Sequence, residues 1–191
     1  MRYKEISDNL DTGDIVLFSS KGLIGLLIRW FCSLCSRRIV KFSHVGIIVR
    51  KYERVMLFES TTCTEYGSKS RGVRLVPMSE VVKLFPGKMV VRQLADSTDE
   101  RNELAFSRFI AESLGKPYEH HLFELMASAF DFVDWYKVAN DKDFFCSELV
   151  AKSLMVLNVI PDGKSNEFTP DDFSDVSNKF TMFGEGIPVT Q

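Results

Sequence analysis

Short apolar runs rich in β-branched residues recur through the first half of the chain, separated by polar and glycine-containing turns. Such runs are typical of strands buried in a sheet. They predict strands at residues 15–18, 43–49, 55–60, 73–77 and 89–94. Residues 22–35 are also apolar but show little two-residue alternation, so they predict a helix, with Ser19 or Ser20 as its cap.

The second half of the chain has the longer periodicity of helices. Residues 98–114 predict a helix that stops at Gly115, with Pro117 just beyond it. Residues 120–136 predict helix in parts, and residues 143–158 carry apolar side chains at helical spacing and predict the clearest helix. Strands followed by helices, with no linker or repeat between them, predict a single α+β domain over residues 1–191, with an antiparallel sheet packed against helices.

Composition and charge narrow the classes of function. The 191 residues are 45% hydrophobic and 26% charged, with a formal net charge of −2. These values are typical of a globular core and give no overall basic field for nucleic acid, so no nucleic-acid partner is expected. Two local basic clusters are interpreted as solvated surface: Arg37, Arg38 and Lys41, and Lys69, Arg71 and Arg74.

The chain has no segment that predicts a membrane span. Residues 22–34 include Arg29 and are shorter than the stretch of about 20 apolar residues that crosses a bilayer. The segment 22–41 therefore has two interpretations: it covers the core, or it makes a peripheral contact with a membrane surface. Residues 1–10 are polar and lack the apolar centre of a secretory signal, so the sequence predicts a cytoplasmic protein with reduced thiols.

Cys146 is the cysteine best placed for chemistry. With Asp143 as the expected N-cap, Cys146 lies in the first turn of the predicted helix, where the helix dipole and unpaired N–H groups favour a thiolate and can bind an oxyanion. A buried structural cysteine is the alternative. Cys32 and Cys35 form a C-x-x-C pair without further zinc ligands and are interpreted as small residues on the first helix, and Cys63 as a free thiol.

A nucleophilic thiol needs a base and a group that orients the base, and His44 and Glu59 are the candidates. His44 lies in an otherwise apolar strand, and Glu59 follows another apolar run. If these strands form a hairpin that turns at Lys51 and Tyr52, His44 lies directly opposite Glu59, and the carboxylate can orient the imidazole. A hydrogen-bonded histidine without catalytic function is the alternative.

Six segments in this order resemble those of the circularly permuted NlpC/P60 cysteine hydrolases, a papain-like group with YiiX-like bacterial proteins and a poxvirus branch. They are residues 12–17 (Thr-Gly-Asp-Ile-Val-Leu) with the apolar helix after them, 42–47 (Phe-Ser-His-Val-Gly-Ile), 58–60 (Phe-Glu-Ser), 115–118 (Gly-Lys-Pro-Tyr), 145–150 (Phe-Cys-Ser-Glu-Leu-Val) and 169–173 (Thr-Pro-Asp-Asp-Phe). In this chain the histidine precedes the cysteine, which is the order of the permuted members.

The resemblance implies a papain-like fold, in which the cysteine begins a helix that packs against a small, barrel-like antiparallel sheet carrying the histidine. Transferred position by position, it implies Cys146 as nucleophile, His44 as base and Glu59 as the residue that orients His44. Tyr118 corresponds to a pocket-lining, substrate-binding position, with core packing as the alternative. No cofactor or metal is expected; the adjacent His120 and His121 point in different directions on a strand or a helix.

These features predict a cysteine hydrolase that attacks an amide, ester or thioester carbonyl of a small peptide, amide or lipid-like substrate. Two alternatives stay open. One is an acyltransferase or lipid-directed hydrolase of the same fold, and the other is a host-interaction module that binds with little turnover. The polar, glycine-containing segment 65–74 is expected to form a mobile loop.

Overall fold

The computed structural model describes residues 1–20, 40–61, 72–96, 98–117, 145–165, 168–177 and 179–191. The predictions for a helix at 22–35, for helical parts at 120–136 and for Tyr118 lie outside these residues, as does most of the segment 22–41. Within the described ranges, the structure confirms the α+β class, with an antiparallel sheet packed against helices. None of the helices in these ranges is long and apolar enough to cross a membrane.

A sheet of six strands forms the centre of the described structure. Its strands are β1 (Ile15–Ser19), β2 (His44–Lys51), β3 (Arg54–Thr61), β4 (Gly72–Pro77), β5 (Lys88–Arg92) and β6 (Ile187–Val189). They pair antiparallel in the order β4–β3–β2–β1–β5–β6. The five predicted strands are present. The sequence did not predict β6, because Pro188 stands at its centre and proline argues against a strand.

Four α-helices accompany the sheet in the described ranges: α1 (Tyr3–Ile6), α2 (Met78–Leu84), α3 (Glu100–Ser113) and α4 (Cys146–Val156). Successive side chains of β1 point to opposite faces of the sheet. Ile15 and Leu17 belong to a buried cluster with α3 and α4, whereas Val16 and Phe18 belong to a cluster with α2. Because both faces are buried, the central strands are apolar at nearly every position.

The β2–β3 hairpin turns one position later than the sequence predicted. Lys51 pairs with Arg54, so Tyr52 and Glu53 form the turn, and Tyr52 adopts a positive φ of 55°. The predicted turn at Lys51 and Tyr52 was wrong because neither residue pair has the usual hairpin signature. The error moves the register by two residues, so His44 lies diagonally from Glu59, and both side chains remain on the same face.

The helix with Cys146 begins later than predicted. Its first residue is Cys146 and its N-cap is Phe145, so the expected N-cap at Asp143, which lies outside the described residues, was wrong. The helix ends at Val156, and Asn158, the last residue of the predicted helix, follows with a positive φ of 58°, which is typical of a residue just past a helix end. Cys146 therefore still occupies the first turn.

The segment after α3 lies against the outer edge of β4. The Val73 N–H donates to the carbonyl of Lys116, and the Gly115 N–H donates to the carbonyl of Val73, at 2.9 Å each. Gly72 permits this approach, because it has a φ of 99° and an added Cβ would lie 2.2 Å from the Lys116 oxygen. Residues 72–74 thus belong to a strand, and the prediction of a loop over 65–74 was wrong for these three residues.

The C-terminal segment is tied to the sheet and to the N-terminus. The guanidinium of Arg92 donates to four carbonyl oxygens, those of Phe173, Phe180, Phe183 and Gly184. At the chain ends, the Met1 ammonium donates to the Pro188 carbonyl at 3.0 Å, and the Thr190 N–H donates to the Met1 carbonyl at 3.0 Å. The two ends of the described chain are therefore in contact with each other, and Arg92 holds the C-terminal segment to β5.

Candidate active site

Cys146 is the first residue of α4, and its residue surface is 6% exposed. Phe145, at the N-cap, has an extended backbone and makes no side-chain cap hydrogen bond. The first N–H groups of a helix have no partner within the helix, and the dipole makes this end positive. The Cys146 sulfur thus lies at a helix end whose donors are not taken by an N-cap side chain.

Glu148 stabilises this helix start from the third helical position. Its carboxylate accepts a hydrogen bond from the Phe145 backbone N–H, which is one half of a capping box. Ser165 Oγ also donates to it at 3.3 Å, and Lys152 Nζ lies 3.6 Å away. Burial raises the pKa of Glu148, and these three contacts offset only part of that effect. Glu148 therefore fixes the backbone immediately before Cys146.

Replacing Glu148 by alanine is expected to loosen the first turn of α4. Loss of the backward hydrogen bond should lower the free energy of unfolding by about 1–2 kcal/mol, as for other helix caps. Glu148→Gln is the matched control, because its amide oxygen can still accept from the Phe145 N–H. Urea unfolding monitors both variants. Equal losses of stability in the two would show that this hydrogen bond is not what Glu148 contributes.

His44 is the first residue of β2, and its ring lies close enough to the Cys146 sulfur for the sulfur to raise its pKa. Its other side faces Glu59, with Nε2 at 2.6 Å from Oε2, and the Phe18 ring lies 5.2 Å from it between centroids. The side chain is 17% exposed. Burial alone lowers the pKa of His44, but the Cys146 sulfur and the Glu59 carboxylate raise it to about 10. The imidazole is therefore protonated at neutral pH.

The chain leading into His44 is held by the 3₁₀ turn Pro170–Phe173. Asp171 Oδ1 accepts hydrogen bonds from the backbone N–H groups of Lys41 at 2.9 Å and Phe42 at 3.3 Å. Ser43 donates its hydroxyl to the Phe18 carbonyl. The backbone on the N-terminal side of His44 is thus fixed from two elements, which limits the movement of the imidazole.

Glu59, on β3, is fully buried and has polar partners on both oxygens. Oε2 contacts His44, and Oε1 accepts from Arg74 Nε at 2.9 Å and Nη2 at 2.7 Å. Burial alone raises the pKa of Glu59, but His44 and Arg74 lower it below its usual value. The carboxylate is therefore ionised although water does not reach it.

Arg74 is the site residue that sequence analysis missed. It is directly opposite Glu59 in the β3–β4 register, and its side chain is 6% exposed, so the interpretation as solvated surface was wrong. One signal was available: Arg74 is a charged residue inside a predicted strand, two strands away from the His44 strand. Arg74 was instead grouped with its neighbours Lys69 and Arg71, which lie outside the described residues.

The structure thus brings together three of the four predicted site residues, Cys146, His44 and Glu59, and adds Arg74 to them. The fourth, Tyr118, lies outside the described residues, although Pro117 before it is next to the edge of β4. No group of three or more His, Cys, Asp or Glu side chains in the described ranges is arranged to hold a metal ion.

A cysteine at a helix start with a histidine and a third polar residue beside it is the arrangement of papain-like enzymes. A family model matches most of the chain. The chain belongs to the permuted papain-like amidase enzyme family YaeF/YiiX, also called C92, whose model matches residues 9–190. The prediction of a permuted papain-like family is therefore confirmed.

A solved structure shares the fold. It is described as the metalloprotein yiiX from Escherichia coli O157:H7, DUF1105, and it superimposes with a TM-score of 0.54 at 20% sequence identity. The match covers 79% of this chain and 68% of yiiX. A search of curated proteins found no significant match.

Proposed function

We propose that the protein is a cysteine hydrolase that cleaves an amide, ester or thioester through a covalent acyl-enzyme. The observation that carries the proposal is the continuous series of contacts from the Cys146 sulfur through His44 to Glu59. Membership of a papain-like amidase family supports it and favours an amide as the natural bond. A nucleophile, a base and an orienting group in contact are what nucleophilic acyl transfer needs.

In the first half of the reaction, the Cys146 thiolate attacks the carbonyl carbon and the C=O electron pair moves onto oxygen. The backbone N–H of Cys146, at the positive end of α4, donates to that oxyanion. When the tetrahedral intermediate collapses, the imidazolium of His44 gives its proton to the leaving amine or alcohol. The products are a thioester on Cys146, a neutral imidazole and the free leaving group.

In the second half, the neutral imidazole takes a proton from a water molecule, whose oxygen attacks the thioester carbonyl. Collapse of this intermediate breaks the C–S bond, which releases the acid and leaves a thiolate on Cys146 beside the imidazolium of His44. Glu59 Oε2 holds the Nε2 side of the ring throughout, so the other nitrogen, Nδ1, is the one left to face the sulfur and the reacting atoms. An acceptor other than water would make the same intermediate an acyl-transfer species.

The proposal predicts that p-nitrophenyl acetate, an activated ester, acetylates Cys146. A burst of p-nitrophenolate equal to the amount of protein should precede slower turnover, because attack on an activated ester is faster than hydrolysis of the resulting thioester. Peptide mass spectrometry should locate the acetyl group on Cys146. In Cys146→Ala the burst should be absent, and the rate of p-nitrophenolate release by the protein should fall by about 1,000-fold or more, as when other covalent nucleophiles are removed.

Cys63→Ala is the matched control, because it removes a thiol elsewhere in the same chain and should leave the burst unchanged. Acetylation spread evenly over the four cysteines, or a burst that survives in Cys146→Ala, would contradict the proposed function. Hydroxylamine should remove the acetyl group from Cys146, because this nucleophile cleaves a thioester readily, and an acetyl group that resists it would contradict a thioester intermediate.

A further inference from the structure

Arg74, the partner of Glu59 on β4, contacts one oxygen of its carboxylate through two donors. Arg74 and Glu59 are cross-strand neighbours, and Nε and Nη2 of Arg74 both donate to Oε1 at 2.9 and 2.7 Å. Both side chains are almost entirely buried, at 6% and 0% exposed. Arg74 leaves Oε2 free of its own donors, and Oε2 is the oxygen that accepts from His44.

Burial makes the charge of Arg74 important. An ionised carboxylate in a buried position is strongly disfavoured unless a positive charge and hydrogen bonds accompany it. Along the site the charges alternate: sulfur, imidazolium, carboxylate and guanidinium. Without Arg74, the remaining groups would carry one excess negative charge, and they would bind one proton more tightly, whether Glu59 or the Cys146 sulfur accepted it.

We propose that Arg74 is a positioning residue for the reaction of Cys146, which holds Glu59 ionised and directs its second oxygen at His44. This inference rests on the proposed function, because its purpose is to keep the imidazolium and the thiolate paired. Arg74 touches neither the sulfur nor a reacting atom in this arrangement. It acts through Glu59, which contacts His44, and His44 in turn contacts Cys146.

Within the described ranges, few charged groups act on Glu59. His44 faces it from β2 and Arg74 from β4, and these two supply all the charge and hydrogen-bond effects on its pKa. The helices packed against β3, α2 and α4, add no ion pair to Glu59 from their described side chains. His44 in turn is affected by Cys146 and Glu59. The predicted pH effect therefore runs through Arg74.

The experiment measures the rate of Cys146 alkylation by iodoacetamide from pH 4 to pH 9, for the wild type and for Arg74→Gln and Arg74→Lys. In Arg74→Gln we expect the acidic limb of the profile to move up by about one pH unit or more, since an opposite charge at this distance shifts a pKa by about 1–3 units. At a pH on the wild-type acidic limb, the rate should fall by about tenfold.

Arg74→Lys should keep the limb within about half a pH unit of the wild type, because the charge remains, while the rate falls severalfold, because an ammonium cannot make the two-bond contact. Arg54→Gln is the matched control. It removes the same charge from an exposed position on β3 and should leave the profile unchanged. A structural role alone would lower the rate in Arg74→Gln without moving the limb, and that outcome would overturn the inference.

If Arg74→Gln does not fold, the wild type supplies the test. Glutamate labelled with ¹³C at the side-chain carboxyl, with the Glu59 signal assigned through Glu59→Gln, reports the ionisation of Glu59 directly. The inference requires Glu59 to titrate below the usual glutamate pKa of about 4.3, and titration above it would overturn the inference. A wild type without preferential alkylation or acetylation of Cys146 would instead overturn the proposed function itself.

Discussion

Replacing His44 by glutamine is expected to make the alkylation of Cys146 steeply dependent on pH. In the wild type, contact with Cys146 and Glu59 raises the pKa of His44 to about 10, so the imidazolium persists below that value and stabilises a thiolate beside it. The iodoacetamide rate should therefore stay nearly constant between about pH 5 and pH 8. The sign follows from linkage: a raised histidine pKa keeps the imidazolium charged at low and neutral pH, and that charge is lost as pH rises through about 10.

In His44→Gln the sulfur loses its cationic neighbour, and its reactivity should follow that of an ordinary thiol with a pKa of about 8.5. The rate should then rise about tenfold per pH unit from pH 5 to pH 8. At pH 5 only about one ordinary thiol in 3,000 is ionised, and greater intrinsic nucleophilicity of a more basic thiolate returns part of this loss. We expect a net fall of about tenfold or more at pH 5.

Alkylation of Cys32, Cys35 and Cys63, resolved by peptide mass spectrometry, gives the internal reference in the same sample. Their rates should be the same in the wild type and in His44→Gln. Superimposable Cys146 profiles in the two proteins would mean that the imidazole does not hold the thiolate, and the base would have to be sought elsewhere.

Replacing Arg92 by methionine is expected to destabilise the fold more than any other single change considered above. Arg92 is 4% exposed, and its guanidinium donates to four carbonyls of the C-terminal segment, at 2.9 to 3.2 Å. It also lies over the Phe183 ring at 5.6 Å. Methionine fills similar space but leaves four carbonyl oxygens without these donors.

Each hydrogen bond to a charged group contributes about 1.5–3 kcal/mol, but bonds that share one guanidinium are not additive. A loss of about 3–5 kcal/mol in the free energy of unfolding is therefore expected, which lowers Tm by about 10 °C for a chain of this size. Urea and thermal unfolding measure it. Arg54→Gln, at an exposed position, should change stability by less than about 0.5 kcal/mol. A loss below about 1 kcal/mol in Arg92→Met would show that the segment is held by other contacts.

The sequence predicted the sheet because its strands are apolar runs rich in β-branched residues, and it placed His44 and Glu59 on one face because side chains alternate between the two faces of a strand. His44 and Glu59 remained on one face although the hairpin register was wrong, since a turn displaced by one position moves the register by two residues. The turn itself was not predictable from Lys51, Tyr52 and Glu53, none of which is a typical residue for a tight hairpin.

The start of α4 illustrates a limit of capping signals. A helix start is predicted from a side chain that can accept hydrogen bonds from the first N–H groups, and Asp143 is such a residue. Phe145 fills none of them with its side chain. A helix whose first N–H groups are not capped by an N-cap side chain gives no such signal, so the sequence alone places its start too early.

Arg74 was missed for a different reason. Its charge was grouped with nearby basic residues along the chain, whereas its environment is set by Glu59, fifteen positions away along the chain and opposite in the sheet. A cluster of charges in the sequence shows only which residues are close along the chain. Only the strand register, which the sequence left open for β3 and β4, shows that one member of the cluster points inward.

The contact between the two ends of the described chain bears on the order in which the site residues occur along the sequence. Because Met1 is hydrogen-bonded to Pro188 and Thr190, a short linker could join the ends, and the exposed turn at Tyr52 and Glu53 could serve as the new break. In that chain Cys146 would precede His44 without any change in their surroundings. The order of Cys146 and His44 along the chain is therefore set by where the chain is opened, and the geometry around the two residues does not depend on it.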